Sequence, residues 1–333
     1  MDIAKEINRR FVLQNEYLGT EKPVNKITPL VSVTVAAYQH ENYIKKCLDG
    51  ILIQQTNFPF EIIIGEDDSK DKTRAICIDY ANKYQDKIRL FLRDRKLSHL
   101  YDHDGNFIKR LNGVLGFSRM SAKGKYIALC EGDDYWTDQN KLQKQVDILE
   151  NNQDFSGCFH KTLTINETDK KPKLVPFREY NKQIFTFEDT ISKKALFHTS
   201  SFLFRSHYCE YEEGYLKIHS ADMLLFSTIA KKGKLFLIND FMSVYRLNEN
   251  GVTRKINNKE YHQKRIALMD YLIKISEEKY FDSITEVKNY HISNLNVNQK
   301  KSKYNVFDHN HFYMKVFHKV KKILSVLLRN KTK

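Results

Sequence analysis

The chain has 333 residues, 41% of them hydrophobic, with only 12 glycines and 5 prolines. That length buries a substantial core, and no low-complexity tract or internal repeat is present. Cys47, Cys77, Cys130, Cys158 and Cys209 lie far apart without a Cys-x-x-Cys pair, which excludes a disulfide frame or a zinc ribbon and indicates reduced thiols in a cytosolic protein. The net charge of +14 invites a nucleic-acid reading, but about 17 Lys and Arg against 7 Asp and Glu fall after residue 254, so roughly +10 of the excess sits in the last quarter. A near-neutral body with a basic tail argues for docking to an anionic surface and against a nucleic-acid groove.

The N-terminus is polar and has no apolar core of a secretory signal, and no run approaches the 18 or so apolar residues of a membrane span. Residues 1–29 read as an arm closed by Pro29. Leu30 to Tyr38 is rich in β-branched residues and predicts a buried strand. Glu41 to Gln55 has helical apolar spacing at Tyr43, Ile44, Cys47, Leu48, Ile51 and Leu52. Phe60 to Gly65 predicts a second strand, Asp71 to Tyr84 a second helix and Ile88 to Leu92 a third strand. Arg93 to Lys123 is mixed. Tyr126 to Cys130 predicts a further buried strand, and Lys141 to Glu150 a helix with Leu142, Val146 and Leu149 inward. Alternating strands and helices imply a parallel sheet with right-handed crossovers.

Acidic residues end two of those strands. Glu66-Asp67-Asp68 follows the second, and Glu131-Gly132-Asp133-Asp134 follows the strand from Tyr126. Like charges that close repel and raise one another's pKa, a cost a fold accepts when a cation or a set of donors sits among them. Ligands of open α/β sheets bind at the C-terminal strand edge, and hard oxygen ligands there suit Mg²⁺ or Mn²⁺ shared with substrate phosphates. The expectation is a metal and diphosphate site.

In the second half, Cys158 to Ile165, Thr199 to Arg205 and Leu235 to Ile238 read as strands and Ser220 to Lys231 as a helix. Phe312 to Leu328 places Phe312, Val316, Val320, Ile323 and Leu327 along one stripe beside Lys315, Lys319 and Lys322, a pattern suited to a membrane interface.

These residues resemble family-2 glycosyltransferases of the GT-A fold, of the kind that builds bacterial surface polysaccharides. The resemblance is carried by Val31-Ser32-Val33 leading to Tyr38, by Glu61 to Thr73, by Gly124 to Asp134, and by the later His198-Thr199-Ser200-Ser201, Ser220-Ala221-Asp222 and Tyr245-Arg246. It implies a GT-A, Rossmann-like, mostly parallel α/β sheet flanked by helices, spanning residues 30–255. Residues 30–140 would bind the nucleotide sugar, 141–255 would face the acceptor, and 256–333 would form a basic helical extension.

By the same resemblance, the donor is a nucleotide-diphosphate sugar, expected to be UDP-linked. The acceptor is a saccharide or lipid-linked sugar, and Mn²⁺ or Mg²⁺ is the cofactor. Ala36, Ala37, Tyr38, Glu66, Asp67 and Glu131 would contact the nucleotide, with Glu131 and Asp133 standing at the family's Asp-x-Asp motif. Asp133 would ligate the metal, Asp134 and Arg246 would lie at the donor sugar or diphosphate, and Asp222 would be the catalytic base. Trp136, Ser200 and Ser201 are candidates for the acceptor wall. Glu66 and Glu131 stand where the family usually has Asp, Asp68 where it has Gly, and Leu247 and Asn248 follow Tyr245-Arg246 where a His is frequent. The expected setting is the cytoplasmic face of a membrane, reached through the basic C-terminal helix. The alternatives are a catalytically impaired family member acting as a scaffold, or a basic nucleic-acid-binding protein.

Overall fold

The computed structural model describes residues 3–101, 107–111, 116–208, 218–249, 251 and 257–297. The expected helix Phe312 to Leu328 lies outside the described residues. An N-terminal helix, α1 (Ile3–Val12), precedes β1 (Val31–Ala37), α2 (Ile44–Leu52), β2 (Phe60–Glu66), α3 (Thr73–Lys83) and β3 (Ile88–Leu92). Helices α2 and α3 are shorter than the sequence spacing suggests. Asp71 lies outside α3 and accepts the Thr73 amide at 3.0 Å, so it caps the helix and does not begin it.

The mixed segment supplies α4 (Arg95–Ser98), β4 (His99–Tyr101), β5 (Phe107–Arg110) and α5 (Phe117–Met120). Then come β6 (Tyr126–Glu131), β7 (Tyr135–Trp136) and α6 (Lys141–Asn151). The second half contains β8 (Phe155–Asn166), β9 (Leu174–Pro176), β10 (Ile184–Phe185), α7 (Phe187–Thr190) and β11 (Leu203–Arg205). It ends with α8 (Ala221–Lys232), β12 (Lys234–Leu247), α9 (Asn258–Ile275) and α10 (Phe281–Val297).

β1 lies between β2 and β6, parallel to both, and β3 continues the parallel set beyond β2. All three central strands are apolar runs because helices cover both faces of the sheet. In register, Ala36 pairs with Glu131 and Ala37 with Glu66. Both acidic strand ends therefore emerge at one edge, on either side of the end of β1.

The sheet bears out the expected α/β architecture, and antiparallel strands join its parallel half to make it mixed. Its order is β10-β12-β8-β11-β6-β1-β2-β3, with β7 on β12 and β9 on β8. β11 runs antiparallel to both β6 and β8. The expected strand from Thr199 is a 3-10 turn over Thr199–Ser201 before β11 begins, because His198 Nδ1 accepts the Ser200 amide and ends the extended run. β12 runs fourteen residues, far past Ile238, and carries Tyr245 and Arg246 to the acidic edge.

One apolar core packs α2, α3 and α6 on one face of the parallel strands. The other packs α8, α9 and α10 on the opposite face, with Phe197 stacked on Phe159 at 4.2 Å and close to Phe226 at 4.1 Å between ring centroids. Each such ring contributes about 1.5–3 kcal/mol on burial. Leu268, Met269, Leu272, Ile284 and Val287 belong to that same core. Helices α9 and α10 are thus built into the body.

The N-terminal arm is also docked. Tyr17 donates its amide to Leu90 O at 2.8 Å, and Glu16 bridges antiparallel to Phe91, so the arm covers the β3 edge.

Candidate active site

The loops after β1 and β2 are stitched together. Gln39 N–H donates to Ser69 Oγ at 3.0 Å, His40 N–H to Thr73 Oγ1 at 2.7 Å and Glu41 N–H to Asp71 Oδ2 at 3.1 Å. Gln39 at φ 58° and Asp68 at φ 59° sit in the left-handed region, where residues other than glycine are strained. The Ala37 carbonyl accepts Asp67 N–H and the Ala36 carbonyl accepts Gly132 N–H, both at 2.9 Å. Ala36 and Ala37 thereby tie the three strand ends together.

Asp67 is buried. Its Oδ1 accepts Ser98 Oγ at 2.8 Å, and its Oδ2 lies 3.7 Å from both Arg95 Nη2 and His99 Nε2. The Arg95 guanidinium covers the Tyr38 ring at 3.7 Å, an arrangement of aromatic face, carboxylate and cation suited to a planar heterocycle. Neither Arg95 nor His99 carries a local signal in the sequence. Both lie in the mixed segment, and only the chain turn at α4 brings them over Asp67.

Glu66 departs from its expected role. It is fully buried, with Oε1 accepting the Ser69 amide at 2.7 Å and Oε2 accepting Arg74 Nε at 2.5 Å. Through these bonds the carboxylate organises the loop and ties it to α3.

At the end of β6 the three carboxylates diverge. Glu131 Oε2 accepts Thr199 Oγ1 at 2.7 Å. Burial pushes the Glu131 carboxyl up to about 7, and the charges of Asp133 and Asp222 add to the shift. Asp133 is partly open to solvent, its Oδ2 accepting Asn248 Nδ2 at 3.0 Å and lying 3.9 Å from His40 Nε2. Asp134 points inward, with Oδ1 accepting the Arg246 amide at 2.9 Å. Burial, then Asp133 and Glu131, raise its pKa well above the usual range. His198 lies 3.7 Å from Asp134 Oδ2 and stacks on Tyr245, and burial pushes its pKa down to about 3.

Arg246 reaches the same corner. Its Nη1 donates to Asp133 O at 3.1 Å, its Nε pairs with Glu167 at 3.2 Å, and the guanidinium lies 4.5 Å from the Tyr135 ring centroid.

The expected acceptor wall is not supported. Trp136 is 2% exposed and donates Nε1–H to Ser200 O at 2.9 Å, with Lys141 Nζ over its ring at 3.8 Å. Ser200 and Ser201 are fully buried, Ser200 Oγ meeting Ser243 Oγ at 3.0 Å and Ser201 Oγ donating to His198 O at 2.6 Å. All three are spent on internal packing and hydrogen bonds.

The donor set fits a divalent cation. Asp133 keeps solvent access, its carboxylate not buried in the core as that of Asp134 is, and neighbouring carboxylates supply a negative field. Among the described residues, no three His, Cys, Asp or Glu side chains enclose a metal on their own. Remaining ligands would come from a bound diphosphate and water.

Acidic strand ends and an aromatic and arginine cradle thus meet at one edge of the sheet's parallel half. The chain belongs to glycosyltransferase family 2: residues 32–210, more than half of it, match the family described as Glycosyl transferase family 2. It is 32% identical to the uncharacterised protein Rv1520 of Mycobacterium tuberculosis over 222 residues, 67% of this chain and 60% of that one. It is 25% identical to the uncharacterised glycosyltransferase EpsJ of Bacillus subtilis over 234 residues, 68% of this chain and 63% of that one. The match thus spans about three-fifths of the length of these curated relatives. In fold it is similar to S. aureus TarS 1–349 solved with UDP-GlcNAc, with a TM-score of 0.56 at 17% identity over 79% of this chain and 72% of that one.

Proposed function

We propose that this chain is an inverting, metal-dependent glycosyltransferase that moves one sugar from a UDP-linked donor to a saccharide or lipid-linked acceptor in surface polysaccharide synthesis. The carrying observation is that the parallel register brings the acidic ends of β2 and β6 out at one sheet edge, on either side of the end of β1, with Asp67 at one turn and Asp133 at the other. UDP-GlcNAc in the similarly folded TarS supports a uridine donor.

Tyr38, Asp67 and Arg95 would bind the base and ribose. Asp133 would hold Mn²⁺ or Mg²⁺, which when bound neutralises charge developing on the leaving diphosphate. Asp134 and His198 hold Arg246 and the β6 turn in place through the Asp134 bond to the Arg246 amide. Asp222 would take the proton of the acceptor hydroxyl, which is a poor nucleophile until a base removes it. One displacement by that oxygen inverts the anomeric centre, and no enzymic nucleophile is required.

A panel of nucleotide sugars with Mn²⁺ tests this, read as release of free nucleotide diphosphate. Asp222→Asn should lower kcat about 10²–10⁴-fold while donor affinity stays within a factor of about three. Full activity in that variant removes Asp222 as the base. The basic residues after 297 are the proposed contact with an anionic membrane surface. Co-sedimentation of the full chain with anionic vesicles, reversed by salt, checks that contact, and binding that ignores salt argues against it.

A further inference from the structure

We propose that His40 is a nitrogen ligand of the divalent cation held at Asp133, and that this ligand makes the site prefer Mn²⁺ to Mg²⁺. The inference rests on the cation reading above and adds to it a second protein ligand.

The loop after β1 brings the imidazole to the end of β6. His40 Nε2 stands 3.9 Å from Asp133 Oδ2. Ligand atoms that far apart are close enough to share an ion whose bonds are about 2.1 Å. The ring is seated from behind. Its buried Nδ1 has no hydrogen-bond partner and packs over Gly132, where a Cβ would come within 2.7 Å of it and within 3.0 Å of Ala36 O. The His40 amide is fixed to Thr73 Oγ1 at 2.7 Å, and the ring stands edge-on to Tyr43. Glycine at 132 is what admits the imidazole beside Asp133.

The other near neighbour of Asp133 does not compete for this role. Asn248 turns its amide N–H toward Asp133 Oδ2, so it presents a donor where a metal ligand must present a lone pair. Imidazole nitrogen is a softer ligand than oxygen. Affinity for it rises along the first-row divalent series, whereas Mg²⁺ favours an all-oxygen shell. A mixed Asp and His pair therefore biases the choice of ion, with diphosphate and water filling the remaining positions.

The test is Mn²⁺ titration into the full chain in the presence of UDP, followed by electron paramagnetic resonance. Loss of the free-ion signal gives affinity, competition gives the Mn²⁺ to Mg²⁺ ratio, and pulsed spectra report ¹⁴N coupling. The wild type should bind Mn²⁺ with a nitrogen coupling that changes on ¹⁵N-histidine labelling, a readout needing no variant. His40→Gln should lose the coupling, weaken Mn²⁺ about tenfold and leave Mg²⁺ affinity within a factor of about two. Asp133→Asn should weaken both ions. Bound Mn²⁺ without histidine coupling, or with coupling that survives in His40→Gln, overturns the His40 assignment and leaves the cation reading standing. A wild type that binds no Mn²⁺ with UDP, or an Asp133→Asn variant that binds both ions normally, overturns both.

Discussion

Glu131, Asp133 and Asp134 show what a row of residues reveals and what it hides. Their crowding was legible because three like charges at a strand end are costly without a reason. Their directions were not, because pleat and turn send Glu131 to Thr199, Asp133 toward solvent and Asp134 to the Arg246 amide. Glu66 looked like a displaced ribose ligand, yet its longer side chain serves Ser69 and Arg74. Trp136, Ser200 and Ser201 carried polar atoms that suggested an acceptor, and those atoms are consumed inside the protein. Arg95 and His99 carry no local signal because their roles depend on long-range contacts that no local spacing encodes, and Asn248, visible only as a departure from the family's pattern, gains its role from its bond to Asp133. His40 had a visible signal, an imidazole two residues past Tyr38 in the first strand's loop. It acquires meaning only once Gly132 is seen beneath it.

At the scale of elements, the parallel half was readable because β1, β2 and β6 are continuous apolar runs joined by amphipathic helices. The second half was less so. β12 crosses from core to site with alternating burial and register shifts against β8, which breaks the simple period of a strand. The N-terminal arm gave no pattern at all, since charged contacts dock it. Glu16 lies between Lys22 at 2.9 Å and Arg89 at 3.0 Å, and Arg89 continues to Glu61 at 2.9 Å. Burial alone would raise the Glu16 pKa, but bonds from Lys22 and Asn25 and the charge of Arg89 outweigh it and leave the pKa lowered. A lowered carboxyl stabilises the fold above its unfolded pKa, near 4.5, and loses that stabilisation as pH falls through the folded value. Glu16→Gln should cost roughly 1–3 kcal/mol at pH 7, read by chemical denaturation. It should also flatten the acid limb below pH 4.5 and speed tryptic cleavage at Arg9 and Arg10. An arm that stays protease-resistant in the variant shows that this ion network does not hold it.

At the scale of the whole molecule, a costly buried charge lies away from the acidic edge. Lys141 opens α6 and is fully buried, its Nζ donating to Gln145 Oε1 at 2.6 Å over the Trp136 ring. Among the described residues no carboxylate comes within ion-pair distance of it. Burial pushes its pKa from 10.5 down to about 7, only partly opposed by the distant charge of Asp138 and the thiols. In the unfolded chain the same amine titrates near 10.5, so above pH 7 the unfolded state binds the extra proton. Stability must then rise with pH from 7, at about 1.4 kcal/mol per pH unit for this group. The rise has an upper bound. Unfolded thiols ionise near 9, while burial holds Cys158 at about 12, so the thiols reverse the slope beyond pH 9. The expected profile gains about 2–3 kcal/mol between pH 7 and 9 and then turns over. Lys141→Met should abolish the rise while keeping the turnover. At pH 7 it should stabilise the fold by roughly 2–4 kcal/mol, because the relieved charge, about 4–5 kcal/mol for this shift, exceeds the cost of an unpartnered Gln145 Oε1, about 1–3 kcal/mol. Denaturant unfolding at pH 7, 8 and 9 measures all three points, and a wild-type profile that is flat over that window means that Lys141 keeps its proton in the folded core.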